Sequence, residues 1–249
     1  MRKSSFLFLV SLLIGYFYAI PALAQKTDVN EVATLNAVIP DFQVNENAGT
    51  NGAYQSSPSI AVDGIGNYIM TWVDGRNGER DIYAQRYSSD GKPVGSNFKV
   101  SDTTSSTTKP SVAAAGSGNF IITWYDSRNG DSGIYAQRYS SDGTAIGANF
   151  KANDDTGSAN QTRPSIAADD NGNFIISWMD RRNDSIDIYA QRYSSDGTAM
   201  GRNFKVDENT ETGSQSLPSI AADGSGNFII TWRDYRNCCT DDIYAQRYS

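Results

Sequence analysis

Four times the chain sets tryptophan, aspartate, arginine and asparagine in one spacing: WVDGRN from Trp72, WYDSRN from Trp124, WMDRRN from Trp178 and WRDYRN from Trp232. Each copy places a carboxylate two residues from a guanidinium, as Asp74 with Arg76, Asp126 with Arg128, Asp180 with Arg182 and Asp234 with Arg236. Such pairs can serve two ends. Ringed around a channel, they could bind a polar ligand, or attack a glycosidic bond with two acids held about 5 to 10 Å apart. Set at joints, each pair ties down its own loop or bridges neighbouring units, since ion-pair networks arise for structural reasons too. Residues repeated in every unit are most simply explained by what every unit must do. That assigns these four tryptophans, aspartates and arginines to a structural motif.

A single asymmetric site has to be made of differences between units. On the loop leaving each tryptophan strand, the variable positions are Gly75, Ser127, Arg181 and Tyr235, with Tyr125, Met179 and Arg233 beside them. Of these, Tyr125, Arg181, Arg233 and Tyr235 are the candidate ligand-binding residues. No catalytic residue is assigned, because no unit shows a distinctive acid that the others lack in a matching place.

Composition narrows the chemistry further. The sequence has no histidine, which removes the commonest general base and the commonest transition-metal ligand. Acidic turns such as Asp169 to Asn173 have the oxygen donors of a calcium loop, but the second unit has Ala115 in place of the first carboxylate. Turn preference for Asp, Asn and Gly explains all four copies, so no cofactor or metal is expected, calcium being the alternative. With 28 acidic against 21 basic residues, and a net charge of −7, nucleic acid is not an expected partner. The two cysteines, Cys238 and Cys239, are adjacent: a vicinal disulfide, a bond to another chain, or a neutral loop variant.

The elements that position these residues follow from the repeat. The tryptophans stand 52, 54 and 54 residues apart, a period of propellers, solenoids or arrays. Within each unit, apolar runs such as FIITW suit strands covered on both faces, and IYAQRY alternates between two faces. Glycine-bearing turns of the type DGSGN and SSDG separate them. The expectation is an all-β, four-bladed β-propeller of four-stranded antiparallel blades. The segment from Asp41 to Val44 matches the fourth strand at Asn97 to Val100, and the chain ends on a third strand. Closure of one blade from both termini is therefore expected, with a fragment of a larger propeller as the alternative.

The first residues carry Arg2 and Lys3, an apolar run and Ala22-Leu23-Ala24, the form of a cleavable secretory signal. The expected organisation is a signal peptide at 1–24, a linker at 25–39 and a propeller at 40–249. Localisation is then secreted, periplasmic or cell surface, with no membrane insertion after cleavage.

The run W-x-D-x-R-N-G-x-x-D-I-Y, matched at Trp72, Asp74, Arg76, Asn77, Asp81, Ile82 and Tyr83, resembles the blade motif of TolB-type and related propellers of bacterial secreted and surface proteins. Gly133 stands at the place of Asp81, and Cys238 at that of Gly78. The sialidase Asp-box is absent in intact form. The resemblance implies a binding platform or scaffold. The expected function is a secreted, monomeric, non-enzymatic module for glycan or protein; the alternative is a glycoside hydrolase-like propeller using paired carboxylates.

Overall fold

The computed structural model describes residues 40–45, 53–102, 107–128, 130, 132–154, 159–183, 185–207, 213–237 and 240–249. The expected signal peptide and linker, and Cys238 and Cys239, lie outside the described residues. Asp41–Ser249 is one compact unit. Blade one consists of β1 (Gln55–Val62), β2 (Tyr68–Asp74), β3 (Asp81–Tyr87) and β4 (Pro93–Lys99). Blade two repeats it with β5 (Thr107–Ala114), β6 (Phe120–Asp126), β7 (Gly133–Tyr139) and β8 (Ala145–Lys151). Blade three has β9 (Gln161–Ala168), β10 (Phe174–Asn183), β11 (Ser185–Tyr193) and β12 (Ala199–Lys205). Blade four has β13 (Gln215–Ala222), β14 (Phe228–Asp234) and β15 (Asp242–Tyr248). Each sheet is an antiparallel meander in chain order.

The first strands pack in succession, β1 on β5, β5 on β9 and β9 on β13, so they form the inner edge of the array. Each carries a bulge at the same place, where the ladder to the second strand shifts register. Ser57, Lys109, Arg163 and Leu217 occupy it with φ of 53 to 57°. A left-handed backbone in a residue other than glycine is strained, and persists only where surroundings dictate it. A proline follows in every copy, and its missing N–H suits it to a bulge.

The core lies between blades. One blade presents Ile69, Val73, Ile82 and Ala84; the next meets it with Val112, Phe120, Ile122, Trp124, Tyr135 and Tyr139. The second and third junctions reuse these positions, with Ile134 facing Trp178 and Ile188 facing Trp232. Burying one such side chain contributes roughly 1.5–3 kcal/mol. At the outer rim, the fourth strand tilts a phenylalanine onto the next blade, as Phe98 on Tyr139, Phe150 on Tyr193 and Phe204 on Tyr248, at 5.4 to 5.6 Å.

Arginines clamp the junctions at the hairpin-turn end. Arg86 donates to the carbonyls of Ser141 and Asp142 in the next blade, and Arg138 to those of Ser195 and Asp196. Gly143 and Gly197, at φ near 90°, leave room for these guanidiniums; a Cβ on Gly197 would lie 2.5 Å from Arg138 Nη1.

The blade architecture is the expected one, with one difference at its ends. The fourth sheet has three strands, and Asp41 to Val44 does not pair with β15. Instead Phe42 tilts onto Tyr87 at 5.4 Å, taking on blade one the place that Phe98 takes on blade two. The segment is not a strand, and it shares with the fourth strands only this ring contact. The expected closure fails because strand identity is a local property, whereas the rotation from blade to blade decides whether the two ends meet.

Ile134 is fully buried at the junction of blades two and three. Ile134→Ala is expected to lower unfolding free energy by about 2 to 5 kcal/mol in urea denaturation. A loss below half a kcal/mol would show that the junction is loosely packed.

Candidate functional site

The loops between second and third strands emerge on one face, together with the connections from blade to blade. Thr107 N donates to Arg80 O and Gln161 N to Ser132 O, which ties each connection to the preceding loop. The repeated motif sits beneath this face. Each motif aspartate is fully or almost fully buried, at the end of β2, β6 and β14 and within the longer β10, and one oxygen accepts from tryptophan Nε1 two residues earlier at 2.8 to 2.9 Å. The other accepts from the arginine backbone N at 2.8 to 3.1 Å. The guanidinium closes the ion pair at 2.6 to 2.7 Å and stands over a tyrosine ring, 3.8 to 4.2 Å from its centre. These donors offset the cost of burying a carboxylate.

The same arginines reach across the junction. Arg128 Nη1 is 2.9 Å from Asp102, and Arg182 Nη1 is 2.9 Å from Asp154, each carboxylate coming from the preceding blade's connection. Burial opposes the charge on Arg128 and Arg182, yet bonds to Asp126 and Asp180 outweigh it and push both guanidinium pKa values up. Burial likewise works to raise Asp74 and Asp234. The bonds from Arg76 and Trp72, and from Arg236 and Trp232, win, and both carboxyls sit below the ordinary 3.8. The motif both ties its own loop and bridges blades.

A second polar layer links each connection to the strand behind it, and here the junctions differ. At the first, Ser101 Oγ accepts from Ile82 N and donates to Asp81. At the second, Asn153 Oδ1 accepts from Ile134 N at 2.8 Å while its Nδ2 donates to Gln161 Oε1 at 2.9 Å. At the third, the place of Ser101 and Asn153 is held by Asp207. Gln215 Oε1 caps Ile188 N at 2.9 Å, and Gln215 Nε2 donates to Asp207 and, at 3.2 Å, to Asp234. Arg236 Nη2 stands 2.6 Å from Asp234 Oδ2 and 3.5 Å from Asp207 Oδ2. Lys205 Nζ is 3.1 Å from Asp187 and 3.5 Å from Asp207 Oδ1, an oxygen that is buried and without a hydrogen bond.

Because Arg236 Nη2 touches both carboxylates, Asp207 Oδ2 and Asp234 Oδ2 lie within about 6 Å of each other. Asp207 is a distinctive acid, which corrects the expectation that no unit has one. Aligning units on their loops hides it, since it lies one residue past the NFKV strand. Its signal in the sequence is the series Ser101, Asn153, Asp207 at one repeat position.

The four expected ligand residues are not brought together. Tyr125 packs into the junction of blades two and three, and Arg181 is exposed on blade three. Arg233 and Tyr235 do meet on blade four: Arg233 lies 5.0 Å over the Tyr235 ring and bonds Ser216 at 3.0 Å and Asp241 at 3.3 Å. The inner edge holds a pair that the loop comparison missed. Lys109 and Arg163 are exposed at the strained bulges of β5 and β9, whereas Thr107, Pro110, Gln161 and Pro164 around them are buried. Both faces of these strands are covered, so the two cations project from the inner edge.

The acidic hairpin turn expected as a calcium loop spends its first carboxylate internally: Asp169 accepts from Asn173 N and Nδ2, both at 2.8 Å. Among the described residues, no group of three or more His, Cys, Asp or Glu is disposed to hold a metal.

No protein-family model and no curated protein matches the sequence. Solved structures do. An α-L-arabinanase of Penicillium chrysogenum complexed with arabinobiose is 15% identical, with 78% of this chain and 62% of that chain covered and a TM-score of 0.56. The architecture is that of a β-propeller. An α-L-arabinofuranosidase of Fusarium graminearum, also with arabinobiose, is 11% identical over 77% of this chain and 61% of its own, with a TM-score of 0.54. A Hadza microbial sialidase is 11% identical over 77% of this chain and 44% of its own, at 0.56. The chain thus spans less than two thirds of the length of these three proteins.

These neighbours correct the expectation of a non-enzymatic binding module. They are an arabinanase, an arabinofuranosidase and a sialidase, and the uniformity of units that argued against catalysis is broken at Asp207.

Asp74 and Asp234 have depressed folded-state pKa values, so the stability they contribute is complete above 3.8 and lost as pH falls through the folded values. The melting temperature is expected to drop between about pH 5 and pH 2. A constant value across that window would contradict the ion-paired joints.

Proposed function

We propose that this protein is a glycoside hydrolase of the propeller type, with Asp207, set beside the joint carboxylate of Asp234, as its candidate reacting acid. The observation that carries the reading is their shared donors: Arg236 and Gln215 each reach both carboxylates at the one junction where a third acid replaces serine or asparagine. Similarity to an arabinanase, an arabinofuranosidase and a sialidase supports glycans as the substrate class.

The roles follow from the surroundings. Asp234 is held ionised by Arg236 and Trp232 and, being buried, acts as a positioning residue that fixes Arg236 and Gln215 beside Asp207. Asp207, whose Oδ2 accepts from Gln215 and whose Oδ1 is buried without a hydrogen bond, is the carboxylate left for the reaction. Lys109 and Arg163, exposed along the inner edge, bind the hydroxyl or acidic groups of neighbouring sugars. Secretion, as expected from the leader, would bring such an enzyme to extracellular polysaccharide.

The test is release of reducing ends from arabinan, arabino-oligosaccharides and sialylated glycans. Asp207→Asn is the informative variant, because Asn153 fills the same place in blade two and asparagine is thereby compatible with the fold. Activity is expected to fall by about 100-fold or more while the melting temperature is retained. Full activity in Asp207→Asn, or no release from any of these glycans, would overturn the reading.

A further inference from the structure

Along the inner edge of the array, one repeat position changes its chemistry from blade to blade while its surroundings stay fixed. The first strands contain Ser57-Pro58-Ser59-Ile60, Lys109-Pro110-Ser111-Val112, Arg163-Pro164-Ser165-Ile166 and Leu217-Pro218-Ser219-Ile220. Proline and the serine after it recur, and the serine tethers the next blade: Ser59 Oγ accepts from Val112 N at 3.2 Å and Ser165 Oγ from Ile220 N at 3.3 Å. The residue before the proline is in turn a serine, a lysine, an arginine and a leucine, at φ of 53 to 57°. Glycine would hold that left-handed backbone without strain, and it stands at none of the four. The bulge therefore does not choose its side chain. A site made of differences between units finds its differences here.

Lys109 and Arg163 belong to blades two and three, whose first strands pack directly on each other. Both are exposed, close to the strand starts at Thr107 and Gln161 that are tied to the loop face. The joint and clamp arginines of the same blades are committed: Arg128 and Arg182 hold the joint aspartates, and Arg138 donates to the carbonyls of Ser195 and Asp196. Among the described residues, Lys109 and Arg163 have neither an ion pair nor a side-chain hydrogen bond. Like charges on neighbouring strands repel, so the pair costs stability until an anion lies between them.

We infer that Lys109 and Arg163 form a carboxylate-binding subsite, and that the glycan held at the inner edge is acidic, built from or capped by sugars that carry a carboxylate. The planar fork of Arg163 suits a carboxylate held by two parallel bonds, and Lys109 supplies a second, more mobile charge from the neighbouring strand. A sugar hydroxyl would leave both charges uncompensated, so neutral sugars gain little there. This deepens the reading of a glycan ligand and rests on it, but it does not require that the glycan be cleaved.

The experiment is titration calorimetry on the full chain carrying Asp207→Asn, which keeps turnover out of the readout, with oligogalacturonate, sialyllactose and a neutral arabino-oligosaccharide as probes. At least one acidic probe is expected to bind about tenfold or more tightly than the neutral one, and which of them does so distinguishes an internal uronate from a terminal sialic acid. Adding Lys109→Gln or Arg163→Gln is expected to weaken that binding about tenfold with the melting temperature unchanged, while Lys109→Arg retains it. Arg202→Gln, the same loss of charge on the outer strand β12, is expected to leave binding as it was. Acidic probes bound no tighter than the neutral one would overturn the inference, and so would an equal loss in Arg202→Gln. Acidic binding without release of reducing ends by the wild-type chain would keep the subsite and remove the hydrolase. Cleavage of neutral glycans with no acidic preference would do the reverse.

Discussion

The structure depends on a joint in which a buried carboxylate is completely used. Tryptophan Nε1, an arginine backbone N–H and the arginine guanidinium all converge on one aspartate of each second strand. Burying that charge alone would cost several kcal/mol, and with these donors the cost is offset. The tryptophan is thereby fixed in orientation, and its fixed ring forms the floor on which the preceding blade's isoleucine lands. Arginine adds the bridge to the connection of that preceding blade, at Asp102 and Asp154. One short motif thus sets the loop, the packing surface and the tie between blades.

With the joints repeated, chemistry has to come from exceptions. The third junction keeps the joint and changes the layer above it, substituting Asp207 for Ser101 and Asn153. Gln215 takes over the capping of Ile188 N that Asn153 performs for Ile134. The acid is therefore released from a structural duty, and stands beside the motif aspartate within reach of the same two donors. The joint thus orients a carboxylate at every junction, and only the third sets a further acid beside it.

Much of this was legible in the residues. Tryptophan spacing, alternation in IYAQRY and the glycine turns specify four β-meanders, and the shared face of loops and connections follows from strand order. The assignment of Asp74, Asp126, Asp180 and Asp234 to joints also follows, from their presence in every unit. Three things were not legible. Asp207 looks like any polar residue after a strand until burial is known. Lys109 and Arg163 are marked only by the proline after them, and their strained bulges exist because the second strand holds its register on both sides. Whether Asp41 to Val44 pairs with β15 depends on the rotation between sheets, which no local pattern encodes.

The joint itself is the claim on which the rest stands, and a double-mutant cycle between Asp126 and Arg128 measures it most directly. Unfolding free energies of Asp126→Asn, Arg128→Met and the double variant are expected to give a coupling of about 1 to 3 kcal/mol, because each single change strands a buried partner. Strictly additive losses would show that the two side chains act independently, and would contradict the account.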